Sequence, residues 1–585
     1  MTTTLDHINA CSTAAFLLAL NGIYEHSPWI PLRVEAQRPF LSITALKIAL
    51  QTVVLHASIE EQLTLICNHP DLAGTTALSG ELTKESTDEQ SHVGLLNCSA
   101  ELLDTIQQLN TNYRTKFGFP FIIAVKGPDG KGLSRNTIIS TFQRRINNQR
   151  DEELNECLYQ ISRIAELRLN DLFATAPHFG NAIMANSDVI GRWSDDAIGL
   201  TCAYLTSAHR QTAQQLVLWM RDAGMHVTID AVGNVVGRYV SDYPNAKTLI
   251  TGSHYDTVRN AGKYDGRAGI LLAISVVKYL HERGEKLPFH LEIIGFSEEE
   301  GVRFNSTFLG SNAITGQFDL RLLDKIDADG VSMREALAQA GHDVTTIPAI
   351  ARNPATILGF VEVHIEQGPV LLKNNVPVGI VTSIAGSSRF IVTFNGVASH
   401  AGTTPMTMRK DAAVAAAELV MYVQQRCSLS PSLVGTVGQL HVPNGSVNVI
   451  PDTCIFSMDI RAAADATREA AVSDILKKIE QVCTHRCIAF SVKTIIATPA
   501  VQCAPWLMTQ LVNATARAGV PILNLPSGAG HDAMAMAHIT DVAMLFIRCA
   551  NGGISHNPLE TMTADDADIS AHIFLDFLRH IHPQH

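Results

Sequence analysis

The hydrophobic pattern of the chain changes near residue 190. Before about residue 172, apolar residues recur at three- and four-residue spacing, for example over 100–117 and 152–173, and this spacing is typical of amphipathic helices. After residue 190, apolar runs of strand length alternate with helical stretches. Such alternation indicates an α/β sheet with its ligands at the strand ends. The sequence therefore predicts an all-α region followed by an α/β region.

A chain of 585 residues is too long for a single hydrophobic core, so we expect several domains. Residues 388–501 follow the order strand, helix, strand, strand, helix, strand, which predicts a separate α+β sandwich inserted in the α/β region. Residues 173–190 interrupt the helical pattern and predict a linker that lets the flanking domains fold alone. The predicted multidomain fold has an all-α N-terminal domain at 1–172, the linker at 173–190, an α/β catalytic domain at 191–387 and 502–585, and the inserted α+β domain at 388–501.

Composition excludes several classes of protein. The formal net charge of −12 and the lack of a long basic tract argue against a nucleic-acid binder. No uncharged apolar run reaches about 18 residues, so no membrane-spanning segment is expected. The 11 cysteines are scattered without a Cys-x-x-Cys pair, which indicates reduced thiols and, without a signal peptide, a cytoplasmic protein.

A candidate metal site begins where a short apolar run, Leu249 and Ile250, leads to His254 and Asp256. Residues two apart in a strand point to the same side, so Asp256 can hold the His254 ring by a hydrogen bond. After a glycine-containing loop, Asp265 can face His254. A His-x-Asp sequence alone more often binds nothing, and the prediction of a site depends on the acids and histidines that follow.

Glu300, His364 and His556 complete the candidate ligand set. Imidazoles and carboxylates without thiolates suit Zn²⁺ or Mn²⁺ in an open catalytic site. Asp265 can bridge two ions about 3.5–4 Å apart, a common arrangement in hydrolases. Glu299, next to Glu300, is the candidate general base, although three consecutive acids at 298–300 would in isolation more often form a solvated loop.

Several segments of the α/β region carry a family resemblance: Gly-Ser-His-Tyr-Asp-Thr-Val at 252–258, Lys-Tyr-Asp-Gly at 263–266, Glu-Glu-Gly-Val-Arg-Phe at 299–304, His-Ile-Glu-Gln-Gly-Pro at 364–369, Ser-His-Ala-Gly-Thr-Thr-Pro-Met at 399–406 and Ser-His-Asn-Pro at 555–558. From about residue 190 to 585 the chain resembles the binuclear metal amidohydrolases of the M20 peptidase group. The resemblance is to those that act on N-carbamoyl and ureido substrates: allantoate amidohydrolase, N-carbamoyl-L-amino acid hydrolase and β-ureidopropionase.

The resemblance implies two divalent metal ions, Zn²⁺ or Mn²⁺. His254 and His364 would hold one ion and Glu300 and His556 the other, with Asp265 shared. The resemblance also makes Glu299 the base, and makes the inserted domain a lid and homodimer interface across which His400 stabilises an oxyanion. It implies that the substrate is bound by Gln367, Asn448, Arg461, Gly528 and His531. From the residues alone, Arg461 could be a surface ion pair and His531 a loop histidine.

In the N-terminal region the informative residues are His69, Ser86, Glu89 and Arg168, together with the aromatic segment 117–122. By themselves they could form an acid–base site without a cofactor, or serve as helix caps and surface charges. With Tyr-Glu-His-Ser-Pro-Trp at 24–29 and Arg-Pro-Phe at 38–40, they resemble OHCU decarboxylase, which converts 2-oxo-4-hydroxy-4-carboxy-5-ureidoimidazoline (OHCU) to (S)-allantoin.

This second resemblance implies that His69 and Glu89 form the acid–base pair. It also implies that Ser86, Arg168 and the backbone from Phe119 to Ile122 bind the substrate, with no cofactor. The whole chain is then predicted to be a bifunctional enzyme of ureide breakdown that makes allantoin and hydrolyses allantoate to ureidoglycine, ammonia and CO₂. The step from allantoin to allantoate needs a separate allantoinase.

Two alternatives stay open. The α/β domain could be an N-carbamoyl-L-amino acid hydrolase or a β-ureidopropionase, and the N-terminal domain could be a docking module without activity. In each case the expected partners are small-molecule ureides and a second copy of the chain, with no nucleic acid and no membrane.

Overall fold

The computed structural model describes residues 3–73, 83, 86, 89 and 100–582. It divides into two compact units, which are treated separately below. The first consists of Met1–Ile380, Thr509–Leu523 and Leu545–His585, and the second of Val381–Met508 and Asn524–Met544. The second unit contains the predicted insert at 388–501 and extends beyond it on both sides. Glu85 and Gln90, which flank two predicted site residues, lie outside the described residues.

The first part of the chain is helical. Its helices are α1 Leu5–Ala10, α2 Thr13–Ala19, α3 Trp29–Val34, α4 Ile43–Leu55, α5 Ile59–Cys67, α6 Ala100–Phe117, α7 Arg135–Arg145 and α8 Arg150–Phe173. Buried apolar side chains from Ile8 to Phe173 form one core. Helix α8 lies inside it, because apolar residues at helical spacing cover more than one of its faces. Residues 121–125 form neither helix nor strand.

The predicted linker at 173–190 is helical for most of its length. Residues His178–Ile190 form helix α9, which packs against helices α10 Ser207–Asp222, α11 Arg267–Glu282 and α19 Ala564–His580. Gly180 lies inside α9 because a Cβ atom there would come within 1.7 Å of the Ala564 carbonyl oxygen. Glycine weakens an isolated helix, but close packing requires it at this position.

The α/β part of the first unit is a twisted sheet with helices packed on it. Its strands are β1 His226–Ile229, β2 Val235–Tyr239, β3 Thr248–His254, β4 His290–Phe296 and β5 Ile357–Ile365, with short helices α12 Leu309–Ile314, α13 Met333–Gln339 and α14 Val370–Lys373 between later elements. The strand order is β1-β2-β4-β3-β5, followed by β16 Val542–Ile547.

Strands β3, β4 and β5 are parallel, and His254 is in register with Phe296. Parallel strands present their carboxyl ends at one edge, so the residues that follow β3 and β4 meet there. The predicted site residues 254–265, 298–300 and 364 all occupy this edge.

The second unit contains an α+β sandwich. Its elements are β6 Val378–Ile384, β7 Gly386–Asn395, β8 Ser399–His400, α15 Ala412–Cys427, β9 Leu433–Thr436, β10 Leu440–His441, β11 Val449–Ile450, β12 Thr453–Ala462, α16 Asp465–Arg486, β13 Ala489–Thr498, β14 Val501–Gln502, α17 Pro505–Arg517, β15 Asn524–Ser527 and α18 Ala533–Met536; the last residues of α17 and the first of β6 belong to the first unit.

The main sheet of the second unit has the order β10-β12-β7-β13, with β9 also paired to β12. Strands β7 and β12 alternate buried and half-exposed residues, which shows that only one face of the sheet is covered. Helices α15 and α16 cover that face, and the buried side chains of both helices and the strands form a separate core. Strands β9 and β10 are separated by residues 437–439, which form no strand.

Among the described residues, no single helix is long and apolar enough to cross a membrane. Helices α4 and α5 meet the length and composition test only as a pair, and they are bent by 110° at their junction.

Candidate active sites

The edge of the α/β sheet gathers the predicted metal ligands around Asp265. His254 ends β3, His364 lies near the end of β5, and Glu300 follows β4. His556 lies in the loop before α19. Gly266 adopts φ +65°, and a Cβ atom there would lie 2.5 Å from the His254 ring, so only glycine lets Asp265 approach this histidine.

The two oxygens of Asp265 face different groups of ligands. Oδ1 lies 3.2 Å from His364 Nε2 and 3.5 Å from His254 Nε2. Oδ2 lies 3.1 Å from His556 Nε2, which is 3.5 Å from Glu300 Oε1. Each group could hold a metal ion. Oδ1 is buried without a hydrogen-bond partner, and a buried carboxylate oxygen facing two imidazole nitrogens fits a cation.

Backbone carbonyls fix the orientation of two of these imidazoles. His254 Nδ1 lies 3.1 Å from the Asp256 carbonyl oxygen, and His364 Nδ1 lies 2.8 Å from that of Ile365. A carbonyl can only accept, so each Nδ1 carries the proton and each Nε2 offers a lone pair towards Asp265. The Asp256 carboxylate accepts the backbone N–H groups of Glu299 and Glu300, both at 3.1 Å, and so holds the acidic segment against the site.

Charge at this edge is strongly negative. Burial and the neighbouring Asp265 carboxylate raise the pKa of Glu300 to about 7, and burial with the Asp256 carboxylate raises the pKa of Glu298 well above its usual range. The hydrogen bond to Asp265 raises the pKa of His556 to about 9. The raised pKa values of these acids and of this imidazole show that negative charge is crowded here. A site of this kind is suited to binding cations.

Gln367 and Glu299 both lie at this centre. The Gln367 amide donates to Asp265 Oδ2 at 2.7 Å and lies 3.3 Å from His556 Nε2. Glu299 forms a potential ligand group with His254 and Glu300. Both positions agree with the predicted neighbourhood, whereas the roles of base and substrate contact stay predictions.

Glu560 was not among the predicted site residues. Its Oε1 accepts the backbone N–H groups of Tyr264 and Asp265 at 2.9 and 3.1 Å, and its Oε2 accepts the Ser555 hydroxyl at 2.7 Å. Glu560 therefore positions the backbone of the shared ligand. Its only sequence signal is proximity to the Ser-His-Asn-Pro segment.

The remaining predicted residues belong to the second unit. His400 and Asn448 come together where β8 pairs with β11, and the Ala401 N–H donates to the Asn448 carbonyl. Arg461 donates to the Gly528 carbonyl at 2.9 Å. The His531 ring is buried, with Nε2 2.7 Å from the Ser527 hydroxyl. Their roles towards a substrate stay predictions.

Arg461 also shares one carboxylate with a second arginine. It lies 3.0 Å from Asp459, which Arg389 approaches to 3.1 Å. Two guanidinium groups on one carboxylate leave a net positive charge in an open cavity lined by all three residues. Arg461 is thus in an ion pair, and the excess charge suits an anionic ligand. Arg389 was not among the predicted site residues.

The N-terminal domain brings together the predicted acid–base residues in a narrow cavity. His69, Ser86, Glu89, Ile122 and Arg168 all line it. Phe119 is not among the lining residues, since its ring is buried against Tyr113 and Phe117. The predicted substrate contact is to the backbone from Phe119 to Ile122 and stays a prediction; of this segment, Phe121 and Ile122 line the cavity.

The buried His69 is held as a neutral imidazole. Its Nδ1 lies 2.9 Å from the Leu65 carbonyl oxygen and donates to it, which leaves Nε2 as a proton acceptor. Burial lowers the pKa of His69 to about 4. At neutral pH this ring is therefore a base, not a cation.

Arg168 fixes the acids of this cavity. Its Nε and one terminal nitrogen contact the two oxygens of Glu89 at 2.8 and 3.0 Å, and the other terminal nitrogen contacts Glu25 at 3.0 Å. Ser86 donates to Glu25 at 3.2 Å. Burial alone would raise the pKa of Glu25, but the Thr83 hydroxyl and the Arg168 guanidinium hold it below its usual range. Glu25 is a site residue that sequence reasoning missed, although it lies in the segment 24–29.

The lowered pKa of His69 predicts an unusual pH profile for the decarboxylation that the resemblance implies. In the folded protein the His69 ring is neutral above about pH 4. The value of kcat/KM should therefore stay level from pH 8 to pH 5 and fall only as the pH approaches 4. A histidine with an ordinary pKa would lose activity near pH 6.5. Initial rates of OHCU loss across this range check the prediction, and a midpoint between pH 6 and 7 would contradict it.

Comparison with known proteins agrees with both halves of this description. Residues 9–170 match the family described as OHCU decarboxylase, and residues 250–580 match peptidase family M20/M25/M40. Fold and site define the second part as a mixed α/β hydrolase domain with a candidate metal centre. The chain belongs to peptidase family M20/M25/M40, and it carries an OHCU decarboxylase domain ahead of the hydrolase.

Known relatives match the hydrolase part of the chain. Allantoate deiminase from Arabidopsis thaliana is 40% identical over 422 residues, which are 66% of this chain and 80% of the relative. N-carbamoyl-L-amino acid amidohydrolase from Geobacillus stearothermophilus is 36% identical over 64% of this chain and 91% of its own. A crystal structure of a hydantoinase/carbamoylase family amidase from Burkholderia multivorans covers 68% of this chain and 97% of its own, with a TM-score of 0.64 and 29% identity.

Proposed function

We propose that the chain is a bifunctional enzyme that decarboxylates OHCU to (S)-allantoin and hydrolyses allantoate to ureidoglycine, ammonia and CO₂. The observation that carries the hydrolytic part is the division of Asp265 between two ligand groups beside Glu299. The relatives named as allantoate deiminases, together with an OHCU decarboxylase domain in the same chain, favour allantoate.

In the hydrolase, Asp265, His254 and His364 would hold one divalent ion, and Asp265, Glu300 and His556 a second, with Zn²⁺ or Mn²⁺ suited to these donors. Bound ions would polarise the scissile carbonyl and acidify water. Glu299 takes a proton from the attacking water and delivers it to the departing nitrogen. Gln367 holds the carboxylate of Asp265 in place and presents its amide to the substrate.

The second unit supplies the groups that recognise the substrate. Arg461 binds the substrate carboxylate, because it shares Asp459 with Arg389 and this pair retains positive charge. Asn448 and His400 act together on the β8–β11 pair, with His400 donating to the developing oxyanion. A homodimer through this unit is part of the proposal, with His400 serving the partner's site.

In the decarboxylase, loss of CO₂ leaves an electron pair on carbon, which a proton must neutralise. His69 Nε2 accepts a proton and, with Glu89, returns one to that carbon, so the reaction consumes one proton overall. Glu25 and Glu89 orient Arg168 towards the substrate carboxylate, and Ser86 completes the polar wall.

A second candidate for the hydrolase is the removal of a carbamoyl group from N-carbamoyl-L-amino acids. The relative from Geobacillus stearothermophilus with this name favours it. Ammonia release from allantoate, ureidoglycolate, N-carbamoyl-β-alanine and N-carbamoyl-L-amino acids separates the two candidates. Saturable turnover of allantoate with poor turnover of the others supports the proposal, and the reverse order contradicts it.

A strong chelator should separate the two activities. It should abolish ureide hydrolysis, because ligand groups around Asp265 lose their ions, and leave decarboxylation intact, because the His69 cavity is served by proton transfer alone. The measurement is the rate of each reaction on one sample before and after dialysis, with Zn²⁺ or Mn²⁺ added back to restore hydrolysis. Loss of both reactions with the protein still folded would contradict this division.

A further inference from the structure

An open cavity of about 620 Å³ lies within the second unit, beside strands β7, β9 and β12. Arg389 lines it from β7, and Asp459 and Arg461 line it from β12, all three on the half-exposed side of these strands. These are the charged side chains among its described lining residues, and together they carry one net positive charge. Of the two arginines, the proposed function uses only Arg461.

Arg461 has donors left for one carboxylate. A guanidinium group has five N–H donors. Arg461 gives Nε and one N–H of Nη2 to Asp459, at 3.2 and 3.0 Å, and one N–H of Nη1 to the Gly528 carbonyl at 2.9 Å. One N–H therefore remains on each terminal nitrogen. Two such N–H groups bind a carboxylate in bidentate fashion, so Arg461 has no donor to spare once the substrate carboxylate is bound.

Arg389 keeps more donors available. Its Nε donates to Asp459 Oδ2 at 3.1 Å, and its two terminal nitrogens form no hydrogen bond with any described residue. The Arg389 side chain is 42% exposed. Because Asp459 anchors the guanidinium group through Nε, its four remaining N–H donors are held at the wall of the cavity.

The charge balance favours a neutral partner for Arg389. A substrate carboxylate on Arg461 cancels the one net positive charge of the three side chains, so a second anion would find no excess cation. The carbonyl oxygen of a urea is a neutral acceptor, and its N–H groups need acceptors in return. Thr436 and Gln439 line the same cavity and offer a hydroxyl and an amide oxygen. The surroundings of Arg389 therefore fit a ureido group.

The two arginines are neighbours, as the corresponding groups are in allantoate. Arg389 and Arg461 both donate to Asp459 Oδ2. In allantoate the carboxylate and both ureido groups are bonded to one carbon atom, so the side chains that recognise them must also lie side by side. Hydrolysis cuts one ureido group, and the other is left for the protein to hold.

We infer that Arg389, anchored by Asp459, binds the ureido group of allantoate that is not cut. The enzyme thereby selects an acid with two ureido groups over an acid with one, because the smaller substrate gives up the hydrogen bonds to Arg389. The inference rests on the proposed function, since it takes the substrate carboxylate to be bound by Arg461.

The test compares ammonia release from allantoate and from N-carbamoylglycine, the same acid with hydrogen in place of one ureido group. Arg389→Ala in the metal-loaded, full-length protein should lower the ratio of the two kcat/KM values, allantoate over N-carbamoylglycine, about 10–100-fold, as the loss of hydrogen bonds from a charged group predicts. The change should lie mainly in KM for allantoate.

The ratio isolates the second ureido group. Loss of positive charge, or a disturbance of Arg461, would weaken both carboxylate substrates and leave the ratio unchanged. Arg461→Ala should therefore weaken both substrates. The matched control is Lys493→Ala, which removes an exposed cation from β13 of the same sheet, outside the cavity lining, and should change neither value.

An unchanged ratio in Arg389→Ala overturns the inference. If that variant fails to fold, Arg389→Met keeps the length of the side chain without its donors, and an unchanged ratio there overturns the inference equally. Failure of the proposed function gives a different result. Unmodified protein that releases ammonia from N-carbamoylglycine and not from allantoate contradicts both proposals, whereas ready turnover of allantoate with an unchanged ratio removes only the role of Arg389.

Discussion

Replacement of Glu299 by alanine should lower kcat for ureide hydrolysis by about 10²–10⁴-fold, the usual contribution of a general base. Glu299 lies within the ligand group of His254 and Glu300, and its backbone is held by Asp256. The substitution removes the proton acceptor and keeps Asp265 with its three histidines. Steady-state rates of ammonia release measure the effect, and decarboxylation by the same sample should be unchanged.

The control is Glu282→Ala, which removes an exposed acid at the end of α11 and should leave both rates unchanged. Metal content of Glu299→Ala, measured after gel filtration, should equal that of the unmodified protein. If the variant hydrolyses at the normal rate, Glu299 is not the base; if it loses metal as well as activity, Glu299 acts as a ligand instead.

The metal site was predictable because its residues follow the ends of strands. An apolar run followed by His254 and Asp256 indicates a strand with its carboxyl end at the site, and parallel β3 and β4 carry Glu299 and Glu300 to the same edge. Glu560 was not predictable in this way. It acts through hydrogen bonds to backbone N–H groups, and such contacts leave no residue pattern.

Prediction from sequence was limited in the same way for the N-terminal cavity. His69, Glu89 and Arg168 were found because their segments resemble a known family, but Glu25 became visible only when its carboxylate was seen on Arg168 and Ser86. The backbone from Phe119 to Ile122 was assigned to the substrate from the same resemblance, and only the structure shows that the ring of Phe119 lies in an aromatic cluster while Phe121 and Ile122 line the cavity. Which side of a buried segment faces a cavity depends on tertiary packing, and local periodicity does not determine it.

The helix within the predicted linker was not predictable for a related reason. Pro177 precedes α9, and Gly180 and Asn186 weaken an isolated helix, but packing of α9 against α11 and α19 supplies the stability that these two residues lack. Gly180 permits close contact, because a Cβ atom there would come within 1.7 Å of the Ala564 carbonyl oxygen. From this packing we expect one joined structure, whereas the predicted linker would let each domain fold alone.

Buried charges between the decarboxylase domain and helix α19 allow the joining of the two domains to be measured. Asp565, in the first turn of α19, is 4% exposed and accepts hydrogen bonds from Lys47 at 2.9 Å, from Asn170 at 2.8 Å and from Arg163. All three donors belong to the decarboxylase domain. Burial opposes the charge, but Arg163 and Lys47 hold the pKa of Asp565 well below its usual range, so the carboxylate stays ionised at neutral pH.

Asp565→Ala should lower the free energy of unfolding by about 3–5 kcal/mol, because it leaves two buried cations facing only Glu166. Calorimetry should show the single unfolding transition separating into two as the domains lose their shared contact. Asp576→Ala is the matched control on the same helix, since its partner Arg517 is 44% exposed and such a surface pair is worth about 0–1 kcal/mol. A loss from Asp565→Ala no greater than that of the control would show that the domains are joined by α9 packing alone, and would restore the view that each can fold by itself.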